Sequence, residues 1–383
     1  MAQVRSLLQP QADRHQTPAR QAARVGAAAF VVFALAGGAQ ARSVAPISQL
    51  VVFGDSLSDT GNILALTSSP LGAVIGFTPR PTSPSYLNGQ FTNGPGGNAG
   101  LTATAYTNGV WHRTLAQSLG VPLAAPSGLN ATTPAGNNFA WGGAQATGGS
   151  AFIPSVSTQV TRYINGRASV PNDPLYIFWG GGNDLMNAAT ATSATEAGVY
   201  AARDTALAAM RSSIEGLIAR LDQTKPMQIL WPNLPSLDRT PQGAALAPVL
   251  RLALWQASLD FAMQQQDIIN QLSTQYPRLS LLKLDVYTLF NQVLDTPNAF
   301  GLTNTVDPIL NTTSFASPGP FNPTLNVDPS TNPDRYVFWD SLHPTSRVHH
   351  LIGLEAARVV PGPSGVGVLA LVGLLASRRR RSA

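Results

Sequence analysis

Ser48-Gln49-Leu50-Val51-Val52-Phe53-Gly54-Asp55-Ser56-Leu57-Ser58-Asp59-Thr60-Gly61-Asn62 reads as a buried strand that stops at a glycine and delivers a serine to the strand's carboxyl edge. The run up to Phe53 is short and shows no polar alternation, as expected of a parallel strand covered on both faces. Gly54-Asp55-Ser56 then turns away, and Ser56 falls where a helix is expected to begin. There its hydroxyl is exposed and its backbone N–H is one of the unpaired donors of a helix N-terminus. Alone, such a serine reads more readily as a helix N-cap than as a nucleophile.

The rest of the chain repeats the strand-then-helix rhythm. Strands are expected at Leu175–Trp179, Gln228–Trp231 and Leu279–Leu284, the first again followed by glycines. Helices are expected at Trp111–Leu119, Val286–Leu294 and 345–359, with a long one over Gly243–Tyr276 that breaks before Pro277. Another spans Ser193–Leu221, where Ser193 and Glu196 have capping-box spacing. Residues 67–109 and 297–333 are rich in Pro, Gly, Asn, Ser and Thr without steady periodicity, and read as long excursions over one face. Strands alternating with helices imply an α/β fold, a three-layer α/β/α sandwich around a central parallel sheet.

The net charge of +5 belongs to the ends of the chain. Residues 1–41 and 360–383 hold eight of the 24 basic residues and one of the 19 acidic ones, leaving a body of about −2. No basic stripe runs through that body, so no nucleic-acid partner is expected. The absence of cysteine excludes disulfides, thiol catalysis and thiolate metal sites.

Both ends read as addresses. Arginines precede an apolar run over 25–38, and Ala39-Gln40-Ala41 follows, the layout of a signal peptide spanning 1–41 with cleavage before Arg42. At the other end, Val360-Pro361-Gly362-Pro363 leads into an apolar stretch from Ser364 to Ser377 and then Arg378 to Arg381. This arrangement resembles the PEP-CTERM sorting signal of Gram-negative bacteria, with Gly362 where that signal usually has Glu. The resemblance implies an exosortase-like processing enzyme as a partner, membrane contact through the C-terminal segment, and a folded body over 42–359 exported to the cell envelope or beyond.

Three further blocks change the reading of Ser56. They are Asn138-Phe139-Ala140-Trp141-Gly142-Gly143-Ala144, Gly181-Gly182-Asn183-Asp184 and Asp340-Ser341-Leu342-His343. In a parallel sheet, ligands gather beyond the carboxyl ends of the strands. Blocks one and three leave strands at that edge and bring a hydroxyl and an amide. The last sets an imidazole three residues from a carboxylate. Together they describe an acyl-transfer site, which needs a nucleophile, a base, an orienting acid and oxyanion donors at once. Of the remaining histidines, His112 sits in a short helix that favours core packing, and His349 and His350 lie within the terminal helix.

The first block is not the Gly-x-Ser-x-Gly elbow of α/β-hydrolases, since Ser58 stands where that motif has glycine. It resembles the GDSL, or SGNH, hydrolases, most closely their larger lipase-like esterases; Phe300-Gly301-Leu302-Thr303-Asn304 is similar to them too. The resemblance covers about residues 48–356 and implies the flavodoxin-like SGNH fold, hydrolysis of carboxylic esters and no cofactor or metal. Carried over by position, Ser56 is the nucleophile, His343 the base and Asp340 its acid. The Ser56 and Gly143 N–H groups and the Asn183 side chain are the oxyanion donors. Asp55 and Asp184 have supporting places, Asp184 beside Asn183 or as a helix N-cap, while Asp59 and Asn62 hold the turn and helix start. The substrates implied are small-molecule or lipid esters. A polysaccharide O-acetyl esterase, a phospholipase or acyltransferase, and a catalytically idle envelope protein are the alternatives.

Overall fold

The computed structural model describes residues 46–130, 133–312 and 318–361. The expected signal segment at 1–41 and the apolar-arginine tail from 362 onward lie outside them. Along the described chain, β1 (Leu50–Gly54) is followed by α1 (Asn62–Thr67), α2 (Pro70–Val74), α3 (Trp111–Leu119) and α4 (Val156–Asn165). Then come β2 (Leu175–Trp179), α5 (Gly182–Thr190), α6 (Glu196–Ile218), β3 (Met227–Pro232), α7 (Pro241–Ala244), α8 (Pro248–Gln275) and β4 (Leu279–Leu284). The chain continues through α9 (Val286–Asp295) and the two-residue strands β5 (Leu310–Asn311) and β6 (Thr324–Leu325) to α10 (Ser346–Val359).

The sheet is parallel throughout, in the order β1-β2-β3-β4. A rudimentary extra ribbon lies on the far side of β1. Val52 N–H donates to the Asn137 carbonyl (2.9 Å), Phe139 N–H to Val52 (2.7 Å) and Trp141 N–H to Gly54 (3.0 Å). After β1 the chain therefore visits one side of that strand and then crosses to β2 on the other. Such a reversal opens a crevice at the carboxyl edge, where α/β sheets place ligands.

Both faces of the sheet are covered, which accounts for strands that are apolar without alternation. Val51, Phe53, Tyr176, Phe178, Ile229 and Trp231 pack under α4, α5, α6 and α8. Leu50, Val52, Leu175, Ile177, Trp179 and Leu230 pack under α3, α9 and α10. Phe53 sits against the rings of Phe139, Tyr163 and Phe178 at centroid distances of 5.7, 5.5 and 5.0 Å, so the strand that carries the serine is anchored in an aromatic cluster.

Two helix expectations are corrected. The helix read as Gly243–Tyr276 is divided, because Ala247 is extended (φ −54°, ψ 144°) ahead of Pro248 at the first turn of α8. Proline clashes with an α conformation in the residue before it. At α6 the cap is Thr195, whose hydroxyl accepts from Gly198 N–H at 3.1 Å, and Ser193 lies outside the helix. The short helices α2 and α4 have no counterpart in the sequence-based reading, whereas α1 and α5 stand near the helix starts expected after Ser56 and at Asp184.

Candidate active site

All four blocks meet at the carboxyl edge of the sheet. Ser56 follows β1 in a turn closed by the N–H groups of Ser58 and Asp59 donating to the Asp55 carbonyl, both at 3.0 Å. The helix expected at Ser56 begins only at Asn62. The cause is the Asp59 carboxylate: it accepts from the N–H groups of Gly61 (2.8 Å), Asn62 (2.7 Å) and Ile63 (3.1 Å), fixing the helix start there. Ser56 thus occupies a tight turn, and its N–H has no protein acceptor among the described residues.

The same carboxylate accepts from Gly142 N–H at 2.8 Å, tying the second block to the first. Asn62 Nδ2 donates to the carbonyls of Asn138 (2.9 Å) and Ala140 (2.8 Å), while Asn138 Nδ2 donates to the Ser58 carbonyl (2.7 Å). Asp59 and Asn62 therefore hold the turn and helix start, as expected, and the second block as well. Gly143 has φ +79°, a conformation that a side chain strains, and its N–H likewise has no protein acceptor among the described residues. Asn183 lies in the first turn of α5, and its Nδ2 donates one hydrogen to the Ala144 carbonyl at 2.9 Å. The second amide hydrogen has no protein acceptor among the described residues.

The last block is a tight turn in which Trp339 N–H donates to the His343 carbonyl at 2.8 Å. His343 Nε2 lies 2.8 Å from Ser56 Oγ, and its Nδ1 lies 2.9 and 2.8 Å from the two oxygens of Asp340. Asp340 Oδ1 also accepts from the N–H groups of Leu342 (2.9 Å) and His343 (2.8 Å). Burial alone would raise this carboxyl, but the His343 charge and these hydrogen bonds outweigh it and hold it below the ordinary carboxylate range. Asp340 thus remains ionised opposite Nδ1. Nε2 is placed to take a proton from Ser56 as that oxygen attacks a carbonyl, and Ser56, Gly143 and Asn183 line the same cleft.

The remaining carboxylates divide differently from the expectation. Asp184 is neither bonded to Asn183 nor the cap of α5, which is Gly181; it sits in the first turn and accepts from Ala146 N–H at 2.9 Å. Burial raises it to about 6. Asp55 accepts from Leu57 N–H at 3.0 Å and is pushed up to about 7 by burial. Asp59 is raised to about 6 for the same reason, against the pull of its four N–H donors.

Two contacts had no sequence signal. Phe91 lies with its ring centroid 5.0 Å from that of His343, and the Tyr86 hydroxyl donates to Asp340 Oδ2 at 2.7 Å. Both come from the irregular 67–109 excursion, where a single aromatic residue carries no periodicity to flag it.

The other described histidines take structural places. His112 Nε2 lies 3.0 Å from the Ser58 carbonyl, and His350 packs on Tyr106. His349 is fully buried with neither ring nitrogen paired, and burial, with charge from His343 and His112, lowers it to about 3. An imidazole depressed in the folded state contributes stability that is complete above its unfolded value of 6.5 and is lost as pH falls towards 3. Asp55, Asp59 and Asp184, raised on folding, act with opposite sign between about 4 and 7. His349→Leu is therefore expected to flatten the acid limb of stability by roughly 3 kcal/mol between pH 6.5 and 3. Urea unfolding of wild type and variant across that range measures it; parallel curves would refute the assignment.

The family model of GDSL-like lipases/acylhydrolases matches residues 50–356, most of the chain and all four blocks. The chain belongs to that family. As a GDSL hydrolase it acts on ester bonds, and ester substrates follow from the membership. Acetylajmalan esterase 2 of Rauvolfia serpentina is 29% identical over 84% of this chain and 93% of its own length. Phosphatidylcholine-sterol acyltransferase of Aeromonas hydrophila is 24% identical over 82% and 90%. Esterase EstA of Pseudomonas aeruginosa is 28% identical over 87% of this chain but 50% of its own length. Phospholipase A1 from Streptomyces albidoflavus NA297 aligns in structure with 14% identity and a TM-score of 0.35, over 81% of this chain and 98% of that one.

Proposed function

We propose that this GDSL hydrolase is an exported serine esterase that works through an acyl-enzyme on Ser56. The observation that carries the reading is the unbroken hydrogen-bonded line Asp340–His343–Ser56 opening into a cleft bordered by Gly143 and Asn183. Ser56 Oγ attacks the ester carbonyl while its proton passes to His343 Nε2. Asp340 stabilises the imidazolium, and the N–H groups of Ser56 and Gly143 with the Asn183 amide receive the developing oxyanion. The proton then goes to the departing alcohol. Water, deprotonated by the same imidazole, releases the acid and restores Ser56.

A second reading, removal of acetyl groups from polysaccharide, is favoured by the shape of the site. On one side of Ser56 lies an apolar crevice walled by Met186, Leu237, Val286, Phe290 and Leu342, with a volume of about 40 Å³. On that scale one water needs roughly 10–15 Å³, so the crevice suits an acetyl or similarly short acyl group. On the other side a larger cleft of about 280 Å³ sets uncharged polar groups from Asn187, Gln242, Thr312 and Ser341 beside Ile63 and Phe91, room for a hydroxyl-bearing alcohol with an apolar part.

Hydrolysis of p-nitrophenyl acetate, butyrate and palmitate beside an acetylated glycan tests both readings. Preference for acetate over palmitate, with labelling of Ser56 by a fluorophosphonate, is the expected outcome. Palmitate preference would remove the short-acyl reading, and failure to label any serine would favour an idle protein. Export rests on the 1–41 segment and processing on the 360–383 segment. Mass spectrometry of the mature termini from an envelope fraction checks both, with an N-terminus at Arg42 expected.

A further inference from the structure

We propose that Tyr86 is a positioning residue for the acid–base pair, fixing the Asp340 carboxylate and sharing its charge so that His343 is correctly poised. The inference rests on the serine-esterase reading and adds to it a residue from outside the four blocks.

Tyr86 is wholly buried and sits among Leu101, Ile309, Leu310 and Trp339, with the Trp339 ring edge-on at 6.3 Å. Its hydroxyl donates to Asp340 Oδ2 at 2.7 Å. With this bond, each oxygen of Asp340 has a donor besides His343 Nδ1. Among the described residues, Oδ1 has the N–H groups of Leu342 and His343, and Oδ2 has Tyr86. The carboxylate plane, and with it the direction in which Nδ1–H is held, is therefore fixed by Tyr86 on one side.

Neighbouring contacts show that the 86–93 segment as a whole braces the last block. Phe91 packs on the His343 ring, Thr92 Oγ1 donates to the Pro344 carbonyl (2.9 Å), and Ser346 N–H donates to Asn93 Oδ1 (2.8 Å). Tyr86 is distinguished from these by touching the charged group itself. Burial, reinforced by the adjacent carboxylate, raises its phenol well above the ordinary value, so it stays a donor throughout the working pH range.

The physical consequence has a definite sign. A hydrogen bond to a carboxylate draws charge away from the oxygen facing the imidazole, and removing it concentrates that charge and favours imidazolium. The other titratable groups facing His343 are Asp55 at the end of β1 and His349 on α10, with His112 of α3 beyond His349. None of these is altered by changing Tyr86.

Tyr86→Phe keeps the buried ring and removes the bond. Fluorophosphonate titration counts the competent sites, so turnover is expressed per active site and misfolded protein does not enter. The expected result is a fall in kcat of roughly tenfold, with KM changed by less than about twofold. The acidic limb of kcat/KM is expected to move to higher pH by roughly half a unit. A low-field proton resonance of His343 Nδ1–H, identified by its loss in Asp340→Asn, is expected to shift in the variant. Unchanged kcat and limb per active site, or loss of sites with wild-type behaviour in those that remain, would overturn the proposal. If Ser56→Ala retained full turnover, the esterase reading would fall and this inference with it. If Ser56→Ala were inert and Tyr86→Phe matched wild type, only the role of Tyr86 would fall.

Discussion

Ser56→Ala is expected to lower kcat for ester hydrolysis by at least ~10⁴-fold with little change in unfolding temperature. The size follows from chemistry. Without Oγ no acyl-enzyme forms, and only the oxyanion donors and substrate binding remain to assist water. The fold is expected to survive because, among the described residues, Ser56 Oγ bonds to His343, whereas the turn is held by backbone bonds to the Asp55 carbonyl and by Asp59. Stopped-assay kinetics with p-nitrophenyl acetate, together with thermal unfolding, would measure both halves. Turnover within tenfold of wild type would refute the nucleophile assignment.

Asp340→Asn is expected to reduce kcat by about 10⁴-fold, through the wrong histidine tautomer rather than lost structure. The hydrogen bonds dictate how the amide must sit. Two backbone N–H groups, of Leu342 and His343, point at Oδ1, so the amide oxygen has to stay there. The NH₂ then takes the place of Oδ2, facing His343 Nδ1 and the Tyr86 hydroxyl. Tyr86 accommodates this by rotating its proton. An Nδ1 that accepts from this NH₂ leaves the ring hydrogen on Nε2, where Ser56 needs an acceptor, and the amide oxygen 2.9 Å from Nδ1 competes to hold the working tautomer. A pH–rate profile and unfolding curve of the variant check the argument; near-wild-type turnover would show that Asp340 does not set the tautomer.

The strands and motif blocks were legible in the sequence because each obeys a local rule. Leu50–Gly54, Leu175–Trp179 and Met227–Pro232 are short, mostly apolar runs next to Gly, Pro or Asp, as strands covered on both faces require, while the edge strand Leu279–Leu284 is partly exposed and mixes in Ser280 and Lys283. The i, i+3 spacing of Asp340 and His343 likewise fits one tight turn, where backbone N–H groups and the imidazole reach the same carboxylate. Helix starts were less legible. Thr195 caps α6 in place of Ser193, and Asp59 moves the first helix from Ser56 to Asn62, because a cap is chosen by the turn that presents it rather than by residue type.

What the sequence by itself determined is an α/β sandwich of a GDSL hydrolase, with Ser56, Asp340 and His343 as the residues expected to react. Strand pattern, turn residues and short-range spacing are local properties, and a family motif is a collection of them. Tertiary structure decided the rest: that Gly143 and Asn183 border one cleft, that Asp184 anchors Ala146 instead of Asn183, and that Tyr86 reaches Asp340. The last contact joins residues 254 apart in the chain. No periodicity or propensity encodes a meeting at that distance, because it is set by how two irregular excursions pack over the same sheet edge.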